Sequence, residues 1–107
     1  MPIKVRRRYL ALKIDSDENF SSKEFMEALW GALLKLFGEY GASRTGMALV
    51  DYYMERKIAI IRTAHTEVEK IRAVLASITR IAAKPAAVHV LKISGTIRAL
   101  HNKLGFR

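Results

Sequence analysis

A chain of 107 residues, half of them apolar, fits one domain spanning residues 1–107 and can bury a single core without covalent or metal staples. The absence of cysteine excludes disulfides, thiolate metal sites and cysteine nucleophiles, and charge interrupts each apolar run well before the roughly 18 residues of a membrane span. The formal net charge of +9 is segregated: nothing after Glu69 is acidic, and neither is anything before Asp15, whereas residues 15–40 carry Asp15, Asp17, Glu18, Glu24, Glu27 and Glu39 against Lys23 and Lys35. Segregated positive charge sets up a directional field that draws in a polyanion. With no apolar leader at the N-terminus, the protein is expected to be soluble and cytoplasmic, with no membrane partner.

Residues 6–14 alternate, with Leu10, Leu12 and Ile14 on one side and Tyr9, Ala11 and Lys13 on the other, the period of a half-buried strand. Ser21 and Glu24 have capping-box spacing, and Phe25, Leu29, Leu33 and Leu36 supply the stripe of a helix that Gly38 and Gly41 are expected to end. Residues 47–54 and 56–63 read as a tight antiparallel pair. Thr66 with Glu69 opens a second predicted helix, striped by Val68, Ile71, Leu75, Ile78 and Ala82 and stopped by Lys84-Pro85. Residues 87–93 form the fourth predicted strand. Residues 96–104 form a short third helix with Ile97, Leu100 and Leu104 on one side.

The order βαββαβ plus a terminal helix is that of an α+β, ferredoxin-like sandwich, the split βαβ arrangement shared with RRM domains. Right-handed crossovers give the antiparallel sheet order 4-1-3-2. That order sets the C-terminal ends of the third and fourth strands beside the N-terminal end of the first. Arg62 and Lys92 then join Arg6, Arg7 and Arg8 at one rim, with Lys4 just before them and Arg98 one turn into the following helix. Lys103 and Arg107 form a secondary basic set.

The sheet face away from the two long helices is expected to hold Ala59 and Ile61 on the third strand and His89, Leu91 and Ile93 on the fourth, too apolar for a solvated face. Either the short third helix covers it or a protein partner does. On the first helix Met26, Trp30, Leu34 and Phe37 widen the apolar surface beyond what one sheet consumes. Trp30, Leu34, Phe37, Ile61 and Leu91 are accordingly the candidate protein-contact residues, with Trp30 equally suited to the core.

An RRM-type reader stacks bases on aromatics of its first and third strands, and here those strands offer only Tyr9. Nor does a catalytic constellation emerge. His65, His89 and His101 lack metal-site spacing, with His89 read as a packed strand residue, and Asp15, Asp17 and Glu18 adjoin a helix N-terminus that their charge favours. No phosphate-cradling glycine loop occurs, although Ser94-Gly95-Thr96 precedes a helix. No cofactor and no metal are expected.

The stretch Val90-Leu91-Lys92-Ile93-Ser94-Gly95-Thr96-Ile97-Arg98, taken with Arg7-Arg8-Tyr9-Leu10, Phe37-Gly38-Glu39-Tyr40-Gly41 and Ile60-Ile61-Arg62, resembles the protein component 2 family of archaeal and eukaryotic-type ribonuclease P. The resemblance spans nearly the whole chain. It implies a non-catalytic subunit of an RNA-based endoribonuclease, helping the ribonuclease P RNA remove the 5′ leader of precursor tRNA. The partners implied are that RNA, precursor tRNA and the barrel-like protein component 3, with a homodimer contact possible within the larger assembly. From another functional class, a stand-alone ferredoxin-like regulatory or small-ligand domain that homodimerises would use the same apolar surfaces, and a protein nuclease would cleave RNA by itself with metal.

Overall fold

Side-chain alternation along β1 (Arg7–Asp15) sends Leu10, Leu12 and Ile14 beneath two helices and Tyr9, Ala11 and Lys13 to the opposite face. The structure, a computed structural model, describes residues 6–105, so Lys4 and Arg107 lie outside the described residues. After β1 come α1 (Ser22–Arg44), β2 (Ala48–Tyr53), β3 (Ile58–Ala64), a 3₁₀ turn (His65–Glu67) and α2 (Val68–Ser77). The chain continues through the two-residue strands β4 (Arg80–Ile81) and β5 (Lys84–Pro85) to β6 (Ala87–Ser94) and α3 (Ile97–Leu104). The main sheet runs β2-β3-β1-β6 and its adjacent strands are antiparallel, the order expected from handedness with β6 as the fourth long strand. Among the described residues, no helix is long and apolar enough to cross a membrane.

The capping box at the start of α1 is complete. The Ser21 hydroxyl accepts from the Glu24 amide at 3.1 Å while the Glu24 carboxylate accepts from the Ser21 amide at 2.9 Å, so both orphan donors are satisfied. Thr66 and Glu69 do not repeat the device. Residues 65–67 take a 3₁₀ turn, α2 begins at Val68 without a side-chain cap, and Glu67 instead pairs with Lys70 at 2.7 Å.

Both long helices end differently from expectation. Gly38 leaves helical geometry at φ 71° and ψ 177°, yet the chain resumes its helix and continues to Arg44. The end of α2 comes earlier than predicted, at Ser77. Ile78 turns extended so that it and Ile81 reach the core, and Ala82 and Ala83, at φ 51° and 65°, make the turn of a small β4–β5 hairpin. Tertiary burial of two isoleucines overrides the helical period here.

The main core joins Leu10, Leu12 and Ile14 of β1 to Phe25, Leu29 and Leu33 of α1, Ile71, Val74 and Leu75 of α2, and Ala59 and Ile61 of β3. Ile61 therefore does not lie on the outer face, and at 0% exposure it is unavailable to a partner. Its pairing with Leu10 fixes its side, because directly opposed residues of antiparallel strands share a face. The residues that do face outward are Ile58, Ile60 and Arg62.

β6 departs from simple alternation as well. Ala11 pairs with Lys92 and Leu12 with Val90, so Leu91 is the extra residue of a β-bulge. Beyond the bulge Ile93 turns inward against the main core, and Lys92 joins His89 on the outer face. A matching irregularity in β2 leaves Val50 as its extra residue. Over part of the outer face lies α3, whose Leu100 forms a second small core with Ala11 and Ile60, edged by Tyr9, Tyr53, Ile97 and Leu104.

Candidate nucleic-acid interface

Strand register brings the separated basic residues together. Arg7 stands opposite Ala64, Arg8 opposite Thr63, and Tyr9 opposite Arg62 on one flank and Ser94 on the other. Lys92, paired with Ala11, lies one outward-facing row further in. The rim is tied by backbone: the His65 amide donates to the Arg6 carbonyl at 2.9 Å, and His65 Nδ1 lies 3.1 Å from the same oxygen. Arg7 and Arg8 leave β1 on opposite faces, so positive charge is offered on both sides of the sheet end.

Arg8 reaches toward the start of α3. Its Nη1 donates to the Arg7 carbonyl at 3.1 Å and lies 3.7 Å from where a side chain on Gly95 would begin. The Thr96 hydroxyl caps α3 by accepting from the Ala99 amide at 3.2 Å, and Arg98 stands exposed in the first turn. Lys103 sits near the other end of α3, its Nζ 3.5 Å from the Ile93 carbonyl. Arg6, Arg7, Arg8, Arg62 and Arg98 are thus gathered at one end of the fold, with Lys92 and Lys103 flanking.

None of the ion pairs among the described residues engages these cations. The pairs formed are Lys70 with Glu67, Lys84 with Glu18 at 3.9 Å, and His89 with Asp15 at 3.8 Å. Guanidinium groups without carboxylate partners, exposed at Arg6, Arg7 and Arg98 and half-buried at Arg8 and Arg62, are an arrangement that exchanges condensed counterions for phosphate contacts.

Two more cations belong to this end and escape a reading of charge runs alone. Arg44 closes α1 just before Thr45, whose carbonyl accepts from the Ala64 amide at 2.8 Å and the Thr63 hydroxyl at 2.7 Å. Its guanidinium lies 5.6 Å from the centre of the Tyr40 ring, and Lys70 Nζ lies 5.4 Å from the centre of the Phe37 ring. Both Arg44 and Tyr40 lie in the helical segment that resumes after the break at Gly38.

The apolar candidates divide. Leu34, Phe37 and Leu91 are 44%, 37% and 41% exposed. Leu36, expected in the buried stripe with Phe25, Leu29 and Leu33, is instead 48% exposed, and with Tyr40 it extends the exposed surface at the end of α1. Trp30 is half-buried and packs against the main core. Ile61 is buried in the main core.

The acidic loop lies at the opposite end of β1 from the basic rim. Asp15 faces His89 there, and His89, expected to be packed, is exposed on the outer face. Among the described residues no group of three or more His, Cys, Asp and Glu could hold a metal ion. The Tyr53 hydroxyl donates to Asp51 at 2.7 Å, and this bond to the carboxylate, with some desolvation, holds the phenol above its usual pKa.

A four-stranded antiparallel sheet backed by two helices, with one rim of unpaired guanidinium groups, defines a basic protein of the ferredoxin-like class. Residues 8–105 match the pattern of the Rpp14/Pop5 family, and the chain belongs to that family. Its relatives include ribonuclease P protein component 2 of Methanosarcina mazei, 32% identical over 101 residues that cover 94% of this chain and 85% of that protein. The corresponding protein of Pyrococcus furiosus is 32% identical over 98 residues, covering 92% and 82%. Among solved structures, a chain in the cryo-EM structure of yeast ribonuclease MRP superposes with a TM-score of 0.69 at 17% identity, over 98% of this chain and 92% of that one, which establishes the shared fold.

Proposed function

We propose that this chain is a protein subunit of ribonuclease P that binds the catalytic RNA through its basic rim and assists removal of the 5′ leader from precursor tRNA. The observation that carries the proposal is the register: Arg6, Arg7, Arg8, Arg62 and Arg98 come from three separate segments and meet at one end with no carboxylate partner. Family membership and relatives named as ribonuclease P protein component 2 support the same reading. Phosphate contacts of this kind position an RNA without reading its sequence. Lys4 and Arg107 join the contact set on charge alone.

On this reading the RNA supplies the chemistry and the protein supplies folding and charge neutralisation. The exposed surface of Leu34, Phe37 and Tyr40, with Leu91 at the β6 edge, serves contacts to other protein subunits, including the barrel-like component 3 and a second copy of this chain within the assembly. The test is reconstitution. Adding the chain to cognate ribonuclease P RNA with the remaining subunits should raise precursor-tRNA cleavage at the mature 5′ end, and the chain alone with metal should cleave nothing. Cleavage by the isolated protein, or no effect of omitting it, would overturn the proposal.

A further inference from the structure

The outer sheet face beneath α3 carries aromatic rings and cations in alternating positions. Tyr9 and Arg62 share one cross-strand row, Ala11, Ile60 and Lys92 the next, and Tyr53, Ile58 and Lys13 the one beyond. Directly opposed residues share a face, so all of these project to the side that α3 partly covers. Tyr9 and Tyr53 pack against the small cluster that Leu100 completes. Carboxylates lie only at the margins of the face: Asp51, on the β2 edge, accepts from the Tyr53 hydroxyl at 2.7 Å, and Asp15, at the far end, faces His89.

The seat of α3 is thin. Its fully buried contact rests on Ala11, Ile60 and Leu100, a cluster separate from the main core. On the same face Arg62 Nε is buried with no hydrogen-bond partner, desolvation for which no bond is returned. The helix also sets Arg98 and Lys103 on the face that bears Arg62 and Lys92, and no carboxylate occurs from Lys70 onward to offset them. One polar link between α3 and the sheet is the long contact of Lys103 Nζ with the Ile93 carbonyl at 3.5 Å. A polyanion entering this seam relieves like-charge repulsion, and an unpaired nucleobase replaces Leu100 against an aromatic ring.

We infer that the sheet face under α3 is a second RNA site, specific for unpaired nucleotides that stack on Tyr9 and Tyr53 while Arg62 and Lys92 meet their phosphates, and that α3 is the lid that closes it. The inference rests on the reading of this protein as an RNA binder. It differs from the rim in the ligand it takes, since stacking requires splayed single strands whereas the rim accepts any phosphate backbone.

The experiment uses the full chain, a short oligouridine as the single-stranded probe and an RNA hairpin as the paired one. Leu100→Ala loosens the lid. It should tighten oligouridine binding roughly tenfold, as the open fraction rises, and leave hairpin binding within about twofold. Adding Tyr9→Ala to Leu100→Ala should abolish that gain, whereas Tyr9→Phe should keep it. In wild-type protein, oligouridine should speed amide hydrogen exchange in α3 and slow it in β1 and β3. Unchanged or weaker oligouridine binding by Leu100→Ala, with an intact circular dichroism spectrum, would overturn the lid. Should Leu100→Ala unfold the domain, Ile97→Ala and the wild-type exchange measurement decide: slowed exchange in α3 on adding oligouridine overturns the proposal. Loss of hairpin binding in the wild type would instead sink the RNA-binding reading itself.

Discussion

Gly41 sits so close to Phe37 that a Cβ added there would lie 2.8 Å from the Phe37 Cβ. Four residues apart in an unbroken helix, two Cβ positions would be well separated. The approach exists because Gly38, at φ 71°, breaks the helix between them and folds the last turn back. Phe37, 37% exposed, has Lys70 Nζ 5.4 Å from its ring centre, and Arg44 lies in the segment beyond the break.

This contrast gives one substitution two opposite outcomes. Gly41→Ala should destabilise the protein by roughly 1–3 kcal/mol, since the neighbouring atom belongs to the Phe37 stem and cannot swing away. Gly31→Ala, at an exposed helical site with nothing within 4 Å, should stabilise it by about 0.5–1 kcal/mol. Thermal or urea unfolding of the two variants reads the difference directly.

The β4–β5 turn places Ala82 and Ala83 at φ 51° and 65°, a left-handed region that costs an L-residue with a Cβ roughly 1–2 kcal/mol. Replacing the pair by Asn-Gly, the sequence best suited to two successive left-handed residues, should raise stability by about 1 kcal/mol. Chemical denaturation should show a higher midpoint with an unchanged slope. An unchanged or lowered midpoint would mean that the turn is not strained.

Leu34 and Ile61 separate surface from core. Leu34→Glu should leave the isolated protein folded, because the side chain is 44% exposed, but should impair assembly with the other protein subunits, measured by co-purification. Ile61→Glu buries an unpaired carboxylate among Leu10, Leu12 and Leu29 and should prevent folding altogether. Intact assembly after Leu34→Glu would assign that residue to neutral surface.

A subunit that leaves the chemistry to RNA predicts small effects at every titratable candidate. Alanine at Asp15, Asp17, Glu18, His65, His89 or His101, one at a time, should keep reconstituted precursor-tRNA cleavage within about tenfold, or about 1.4 kcal/mol of barrier. General acids and bases typically contribute 10² to 10⁴-fold, so a loss of that size in a folded, RNA-binding variant would place a catalytic group in the protein.

Much of this architecture is written locally. Ser21 and Glu24 announce the start of α1 because a capping box needs only those two side chains at that spacing. The strand order follows from crossover handedness, and with it the meeting of Arg62 with the start of β1. What escaped depends on contacts between distant residues. The side on which Ile61 falls is decided by its pairing with Leu10, the turn at Ala82-Ala83 by burial of Ile78 and Ile81, and the facing of β6 by one extra residue at Leu91. An Ala-Ala turn carries no turn chemistry, and an aliphatic bulge looks like any other strand residue. For Arg44 and Lys70 the available signal was the Phe37-Gly38-Glu39-Tyr40-Gly41 segment, whose two glycines mark a break and a close approach as readily as a helix end.

If RNA meets this protein at the rim formed by Arg6, Arg7, Arg8, Arg62 and Arg98, salt should report it. The measurement is affinity for ribonuclease P RNA against salt concentration, for the wild type, for Arg8→Ala with Arg98→Ala, and for Lys35→Ala on the acidic segment. The double variant should bind more weakly on any RNA sequence, with a slope of log affinity against log salt shallower by roughly one unit per contact removed, and Lys35→Ala should change nothing. Equal losses in the rim and Lys35 variants, or an unaltered salt slope in the rim variant, would contradict RNA contact at the rim.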